Sequence, residues 1–328
     1  MSGDSDEEKE EEEAELNFEG TMLRESGGAK LKPYWYKLHN QDLYYYKKKD
    51  DPKEKGMYTL SNVFLREDEP TPQDEEAKTF VYSFTLIFNA KERKFYSLKK
   101  AEHDNWVAVV KKAIGYQDIL SYYEIGESIG RGKFGRVKLG VHKKTQKKVA
   151  IKILKKAKMD PEDFELYKRE VEILKICQHP NLIRLLDVFE NFEYIFIVME
   201  HLQGGSLLQY FKDKSYKLTE NRIQEIAHQI ATALFYLKSF GIAHRDLKPD
   251  NMMMTTNDDT SAVKIIDFGL SKIIGPNERS KDPFGTIPYA APEIILRKPY
   301  GHSVDIWSFG VTLFFLVTGF HPFDSEEQ

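Results

Sequence analysis

Two rhythms of apolar and polar residues divide the chain. Over residues 17–117, short aromatic and β-branched runs alternate with turn residues. Residues 34–38, 43–46, 80–88 and 94–98 read as strands. Gly27 with Gly28, and Asn40 with Gln41 and Asp42, read as hairpin turns. The period then changes to that of a helix over 102–114, with Trp106, Val109, Val110 and Ala113 on one face. Short strands followed by one helix predict a small β-barrel capped by that helix. The stretch 67–76 is acidic, contains Pro70 and Pro72, and is expected to be an exposed insertion. Residues 115–121 read as a linker. From Tyr122 strands run to about Leu154, followed by helical periods (162–176 and, near the end, 304–318) and a mixed pattern. No internal repeat is visible.

Composition narrows the class. A length of 328 residues is too great for one ordinary domain and suits two, each long enough to bury a core. With 41% hydrophobic and 30% charged residues, collagen-like, mucin-like and wholly disordered readings fall away. The longest apolar run, 311–317, is far short of the ~20 residues that span a bilayer. The N-terminus has no basic-then-apolar leader pattern. A single cysteine, Cys177, excludes an intrachain disulfide and reads as a buried thiol in a reducing cytoplasm. The net charge of −4 is uneven. Residues 1–16 carry nine acids and one lysine, so the rest of the chain is slightly basic. That acidic tail cannot bury apolar area and is expected to be disordered.

The second half carries the chemistry. Gly130, Gly132 and Gly135, with Val137, form a glycine-rich loop of the kind that lets backbone N–H groups approach phosphate oxygens. Strands flank it on both sides, which argues against a dinucleotide fingerprint. Lys152 follows in the apolar strand Val149-Ala150-Ile151-Lys152, where a lysine needs a carboxylate or phosphate partner. Glu170, in the helical stretch, is a candidate. His244-Arg245-Asp246-Leu247-Lys248-Pro249-Asp250-Asn251 places many polar groups between apolar runs. Asp267, before Phe268 and Gly269, ends an apolar strand and suits a magnesium ligand.

Taken in order, GxGxxGxV, VAIK, HRDLKPDN, DFG and APE (Ala291-Pro292-Glu293) resemble the protein kinase motif set from Tyr123 onward. HRDLKPDN, DFGLSK and the run Ser303–Val311 resemble the calcium/calmodulin-dependent group of Ser/Thr kinases. The resemblance implies an α+β bilobal fold and roles for particular residues. ATP would lie under the Gly130–Val137 loop, with Ile129 beside it. Val137, Ala150 and Met253 would sandwich the adenine. Glu200 and Leu202 would bond it, with Met199 as gatekeeper. Lys152, fixed by Glu170, would hold the α- and β-phosphates. Asp246 would accept the substrate hydroxyl's proton, and Lys248 would neutralise the transferred group. Asn251 and Asp267 would hold Mg²⁺.

The resemblance extends to regulation. Arg245 marks kinases that need a negative charge in the segment 267–293. Asp282 occupies the usual phosphorylation position, four residues before Thr286, so a fixed carboxylate could pair with Arg245 unmodified. Ser280 is the second candidate switch. A solvated Asp282 in a loose loop is the alternative. Ser206 follows Gly204 and Gly205 where related kinases place a Glu, and Phe315 replaces a second acid. A strong preference for arginine-containing targets is therefore not expected. The large lobe is expected to be incomplete at residue 328, leaving Glu293 without its usual arginine and the faces of Phe314 and Leu316 less covered.

Residues 17–117 resemble a pleckstrin homology (PH) domain through Glu19–Arg24, Tyr34–Leu38, Leu43–Tyr46 and the helix with Trp106. The order PH then kinase is similar to that of the protein kinase B and D families. Arg24, Lys30 and Lys32 are the candidate phosphoinositide ligands. Between residues 30 and 55 eight lysines outnumber four acids, which suits an anionic membrane surface, or equally a solvated or protein-docking face.

The expected architecture is thus multi-domain. A tail (1–16), an all-β PH-like barrel with a C-terminal helix (17–117) and a linker (118–122) precede a kinase domain (123–328). The expected function is ATP- and Mg²⁺-dependent phosphorylation of protein Ser/Thr residues, in the cytoplasm or recruited to a membrane, with no nucleic-acid partner. A catalytically weak nucleotide-binding scaffold is the alternative.

Overall fold

The computed structural model describes residues 15–26, 30–74, 79–88, 91–131 and 135–323. The acidic tail up to residue 14, the Gly27-Gly28 turn and Gly132 lie outside the described residues. The chain divides into two compact units, the first running to Asp118 and including Glu190–Phe192, the second comprising Ile119–Phe189 and the residues from Glu193 on.

In the first unit, eight strands form one antiparallel system. They are β1 (Asn17–Ser26), β2 (Lys30–His39), β3 (Asp42–Tyr46), β4 (Gly56–Thr59), β5 (Phe64–Glu67), β6 (Thr71–Asp74), β7 (Thr79–Phe88) and β8 (Lys91–Ser97). Their order is β4-β3-β2-β1-β8-β7-β5, with β6 paired to β7. Alternation along β2 buries Tyr34, Tyr36 and Leu38 and turns Lys37 and His39 outward. Helix α1 (Lys100–Ala113) lays Trp106, Val107, Val110 and Ala113 onto that inner face. Trp106 is 2% exposed and meets Phe18 edge-on at 4.7 Å.

Two sequence expectations change here. The supposed insertion 67–76 contains strand β6, because Thr71 and Pro72 extend alongside Val81 and Phe80. An edge strand tolerates a proline. The expected linker is also partly structured. Residues Ile119–Tyr122 form a helical turn, α2, and Ile119 is buried with Tyr123, Val149 and Phe189.

The second unit has two lobes. In the small lobe, β9 (Tyr123–Arg131), β10 (Gly135–His142), β11 (Lys148–Lys155), α3 (Pro161–Ile176), β12 (Leu185–Glu190) and β13 (Tyr194–Glu200) follow in sequence. The sheet order is β12-β13-β11-β10-β9. The large lobe starts with α4 (Leu207–Asp213) and α5 (Glu220–Ser239). Four short strands follow: β14 (Ile242–Ala243), β15 (Met252–Met254), β16 (Val263–Ile265) and β17 (Lys272–Ile273). Helices α6 (Pro292–Ile295) and α7 (Ser303–Thr318) come after them. β14 pairs with β17, and β15 with β16. These two strand pairs hold the chemistry-bearing loops 244–251 and 267–271 beside each other.

Helix α7 ends at Gly319, whose φ of 82° is a left-handed cap. Its apolar residues divide. Phe315 and Leu316 are buried in the large-lobe core, whereas Phe314 is 39% exposed. The expected exposure of this face therefore holds for Phe314 and fails for Leu316, because Leu316 points at the core of α5 and α4.

Candidate active site

Strand β11 carries Lys152 with its backbone locked on both sides, to Val137 of β10 and to Ile197 of β13. Its ammonium lies 2.6 Å from Glu170 Oε1 of helix α3. Glu170 is 6% exposed, so this charge is desolvated and tolerable only because it is paired. Burial works to lower the Lys152 pKa, but the carboxylates of Glu170 and Asp267 outweigh it and raise the net value. Helix α3 is fixed at its start by Asp160. The Asp160 carboxylate accepts from Asp163 N, Asp163 returns the bond to Asp160 N, and Pro161 occupies the first turn.

A cavity of about 330 Å³ opens between the lobes. Ile129, Gly130, Val137, Ala150 and Lys152 line its small-lobe side. Met199, Glu200, Leu202, Met253 and Asp267 line the rest, joined by Glu170. The sequence reading passed over Arg131, Ile183, His201 and Ile266, which also line it. Arg131, His201 and Ile266 lie between or next to candidate residues, at Gly130–Gly132, Glu200–Leu202 and Asp267. Ile183 carries no signal of its own.

Gly135 is not among the lining residues. A Cβ there would run into the Ile153 carbonyl oxygen, so this glycine is required by the close approach of β10 to β11.

The loop 244–251 is held from below. Asp305 of α7 accepts from His244 N at 2.7 Å and from Arg245 N at 2.8 Å. His244 reaches Ile266 O through Nε2 at 3.1 Å. Asp246 then stands in a ring of donors. Thr286 Oγ1 donates to Oδ1 at 2.7 Å, and Asn251 Nδ2 donates to Oδ2 at 2.8 Å. Lys248 Nζ lies 3.0 Å from Oδ2 and 2.6 Å from Thr286 Oγ1. Burial pushes the Asp246 carboxyl up, but Thr286 and Lys248 outweigh it and keep it below the ordinary carboxylate range. An ionised carboxylate that already accepts a hydroxyl hydrogen is therefore built into this loop.

Asn251 spends its amide nitrogen on Asp246. Its carbonyl oxygen and the Asp267 carboxylate are oxygen donors of the type magnesium takes when it also binds phosphates. Asp267 itself has φ 58°, and its Oδ1 accepts from Gly269 N at 3.3 Å. Phe268 beside it is 1% exposed and edge-on to His244 at 5.1 Å.

The segment after Asp267 gathers around Arg245. Arg245 Nη1 donates to Asp282 Oδ2 at 2.8 Å, and Lys272 Nζ lies 3.0 Å from the same oxygen. Ser280 is 2% exposed and donates to Asp282 Oδ2 at 3.0 Å. Tyr300 bonds Arg245 Nη1 at 3.1 Å and closes the cluster. Burial raises the Asp282 carboxyl, but Arg245, Lys272 and Ser280 bring it down to about 2.

In the first unit, Lys32 is exposed, and Lys30 is exposed on its backbone-paired strand. Arg24 is different. Its guanidinium lies over Tyr34 at 5.0 Å and Tyr45 at 4.8 Å, and Nη1 donates to Tyr58 OH at 2.6 Å. It is thus engaged by a tyrosine cluster rather than standing clear as a free base.

Comparison with known proteins agrees with this architecture. The family model for the protein kinase domain matches residues 123–328, and that for the PH domain matches residues 16–115. The chain belongs to the protein kinase family, with a PH domain ahead of the kinase domain. Among its relatives is a probable serine/threonine-protein kinase, MARK-A, of Dictyostelium discoideum. It is 45% identical over 64% of this chain and 20% of the relative. A probable myosin light chain kinase of the same organism is 41% identical over 62% of this chain and 52% of its own length. An SNF1-related protein kinase catalytic subunit alpha of Arabidopsis thaliana is 42% identical over 63% and 42% respectively. The chain thus spans about half or less of the length of these relatives.

Proposed function

We propose that residues 123–328 transfer the terminal phosphoryl group of ATP to Ser or Thr hydroxyls of protein substrates. The observation that carries this reading is the Asp246 carboxylate held by Lys248, Asn251 and Thr286, in the same unit as a cavity walled by the Lys152–Glu170 pair and Asp267. The relative named as a probable serine/threonine-protein kinase supports the choice of acceptor.

In this reading the adenine lies between Val137, Ala150 and Met253, bonded to the backbone at Glu200 and Leu202, with Ile129, Gly130 and Met199 around it. Lys152 holds the α- and β-phosphates because Glu170 fixes its ammonium. Asp246 orients the incoming hydroxyl for in-line attack and takes its proton. Lys248 offsets charge on the group in transit. Asn251 and Asp267 would hold magnesium, which when bound neutralises charge developing on the phosphate oxygens. Arg245 and Asp282 keep the segment 267–293 ordered without modification. Ser280 and Thr286 stabilise the same arrangement through their hydroxyls.

The first unit is proposed as the recruitment module. Lys32, Lys47, Lys48, Lys49 and Lys53 are exposed, and near an anionic leaflet each contributes about 1 kcal/mol. A protein surface of the same charge is the other occupant to test. Co-sedimentation with phosphatidylserine vesicles, lost on replacing these lysines by Gln, is the expected result. Binding unchanged by those replacements contradicts the membrane reading.

The central test is phosphate transfer to a Ser/Thr peptide library by the 328-residue chain. Asp246→Ala is expected to lower the rate by about 10²–10⁴-fold, the usual contribution of a positioned base. Equal rates in both proteins would refute the assignment.

A further inference from the structure

One ion pair in the second unit has no part in the reading above. Lys264 Nζ lies 2.7 Å from Glu200 Oε1. Glu200 is the last residue of β13, in the small-lobe sheet, and Lys264 is the middle residue of β16, in the large lobe. The pair is therefore a tie between the lobes. Its ends are anchored. Glu200 Oε1 also accepts from Arg184 N at 2.8 Å, and Glu200 N donates to Arg184 O at 3.1 Å. Lys264 Nζ also donates to Leu182 O at 3.3 Å. The side chains are only 13% and 27% exposed, so solvent screens the pair incompletely.

Glu200 lines two cavities. One is the nucleotide cavity, and the other is a space of about 750 Å³. Lys264 and Arg184 line the second and not the first. Glu200 is the wall between them, and it is held from the side that the nucleotide does not occupy. A nucleotide that touches Lys152 and Ala150 on one lobe and Met253 on the other needs both lobes at a fixed separation. Opening the hinge would stretch the charge-assisted Lys264–Glu200 bond.

We infer that Lys264 is a positioning residue that sets the lobe separation through Glu200 and thereby sets nucleotide affinity. The inference rests on the nucleotide reading above. Lys264→Met keeps the side-chain length and removes the charge. Glu200 retains the Arg184 N–H, and the adjoining cavity gives water access to its carboxylate, so the fold tolerates the change.

The test uses the 328-residue chain, with ADP binding by calorimetry and steady-state kinetics on a peptide. Lys264→Met is expected to weaken ADP about fivefold or more, within the usual range for coupled sites. The KM for ATP rises in parallel, and kcat changes less than KM. Lys264→Arg, which keeps the charge, restores affinity to near wild type. A loss of melting temperature alone would mark a purely structural role. If Lys264→Met proves too unstable to handle, Glu200→Gln neutralises the other partner and must weaken ADP in the same way. A wild-type chain that binds no ADP overturns the nucleotide reading and this inference with it. A wild-type chain that binds ADP, beside variants that bind it equally well, overturns the inference alone.

Discussion

Asp282 holds a charge that Arg245 cannot do without. The Arg245 side chain is fully buried, and its Nη2 has no hydrogen-bond partner among the described residues. Neutralising Asp282 would leave a buried guanidinium with less compensation. Asp282→Asn is therefore expected to destabilise the second unit. The loss is about 1–2 kcal/mol, below the usual figure for a buried pair because the Asp282 side chain is itself about a third exposed. Urea unfolding at pH 7 reads it. The pH dependence has a defined sign. A carboxyl whose folded pKa is about 2, below its ordinary value of 3.8, contributes stability that is fully present above that ordinary value. It is lost as the pH falls through about 2. Wild type should lose stability over this window more steeply than Asp282→Asn, and parallel melting curves for the two would refute the assignment.

At the scale of elements, two short features position the charges that the site needs. The reciprocal cap of Asp160 and Asp163 starts α3, the helix that carries Glu170. Asp160→Ala is expected to cost about 1 kcal/mol and to raise amide exchange in the first turn of α3. Exchange unchanged there would show that tertiary packing, rather than the cap, fixes the helix start. The second feature is the β10–β11 ladder, in which Gly135 sits against the Ile153 carbonyl. Gly135→Ala must push the strands apart, with an expected loss of about 1–3 kcal/mol, the usual cost of overpacking. Because Val137 and Lys152 are paired in the same ladder, ADP affinity should fall with it. Thermal melting and calorimetry on the same sample check both parts. A variant that melts like wild type would show that the ladder accommodates a methyl group.

For the whole molecule, each unit has its own apolar core, one around Tyr36, Phe84, Phe95 and Trp106 and the other around Phe211, Ile230, Leu234 and Phe268. Trp106→Ala removes the largest side chain of the first core and is expected to cost that unit about 3–5 kcal/mol. Differential scanning calorimetry should then show the transition of the first unit moved down and that of the second nearly unmoved. A single transition displaced as a whole would mean that the units unfold together.

Sequence alone determined the two-part plan, the order of the kinase motifs and most of the strands and helices. Local rules reach that far, because period, turn chemistry and motif order are written along the chain. Lys152 and Glu170 could be nominated from the sequence because one lies in an apolar strand and the other in an amphipathic helix. Strand β6 and the buried turn at Ile119 could not be read, since pairing with β7 and burial against Phe189 depend on distant partners. The same holds for Arg24. Its basic charge is visible in the sequence, but only the folded sheet brings Tyr34, Tyr45 and Tyr58 around it. The tertiary structure likewise decided that Gly135 serves a strand contact, that Leu316 is buried while Phe314 is not, and that Lys264 meets Glu200. Each of these is a contact between residues far apart in the chain, and no local pattern encodes which of many polar or apolar residues will be brought together.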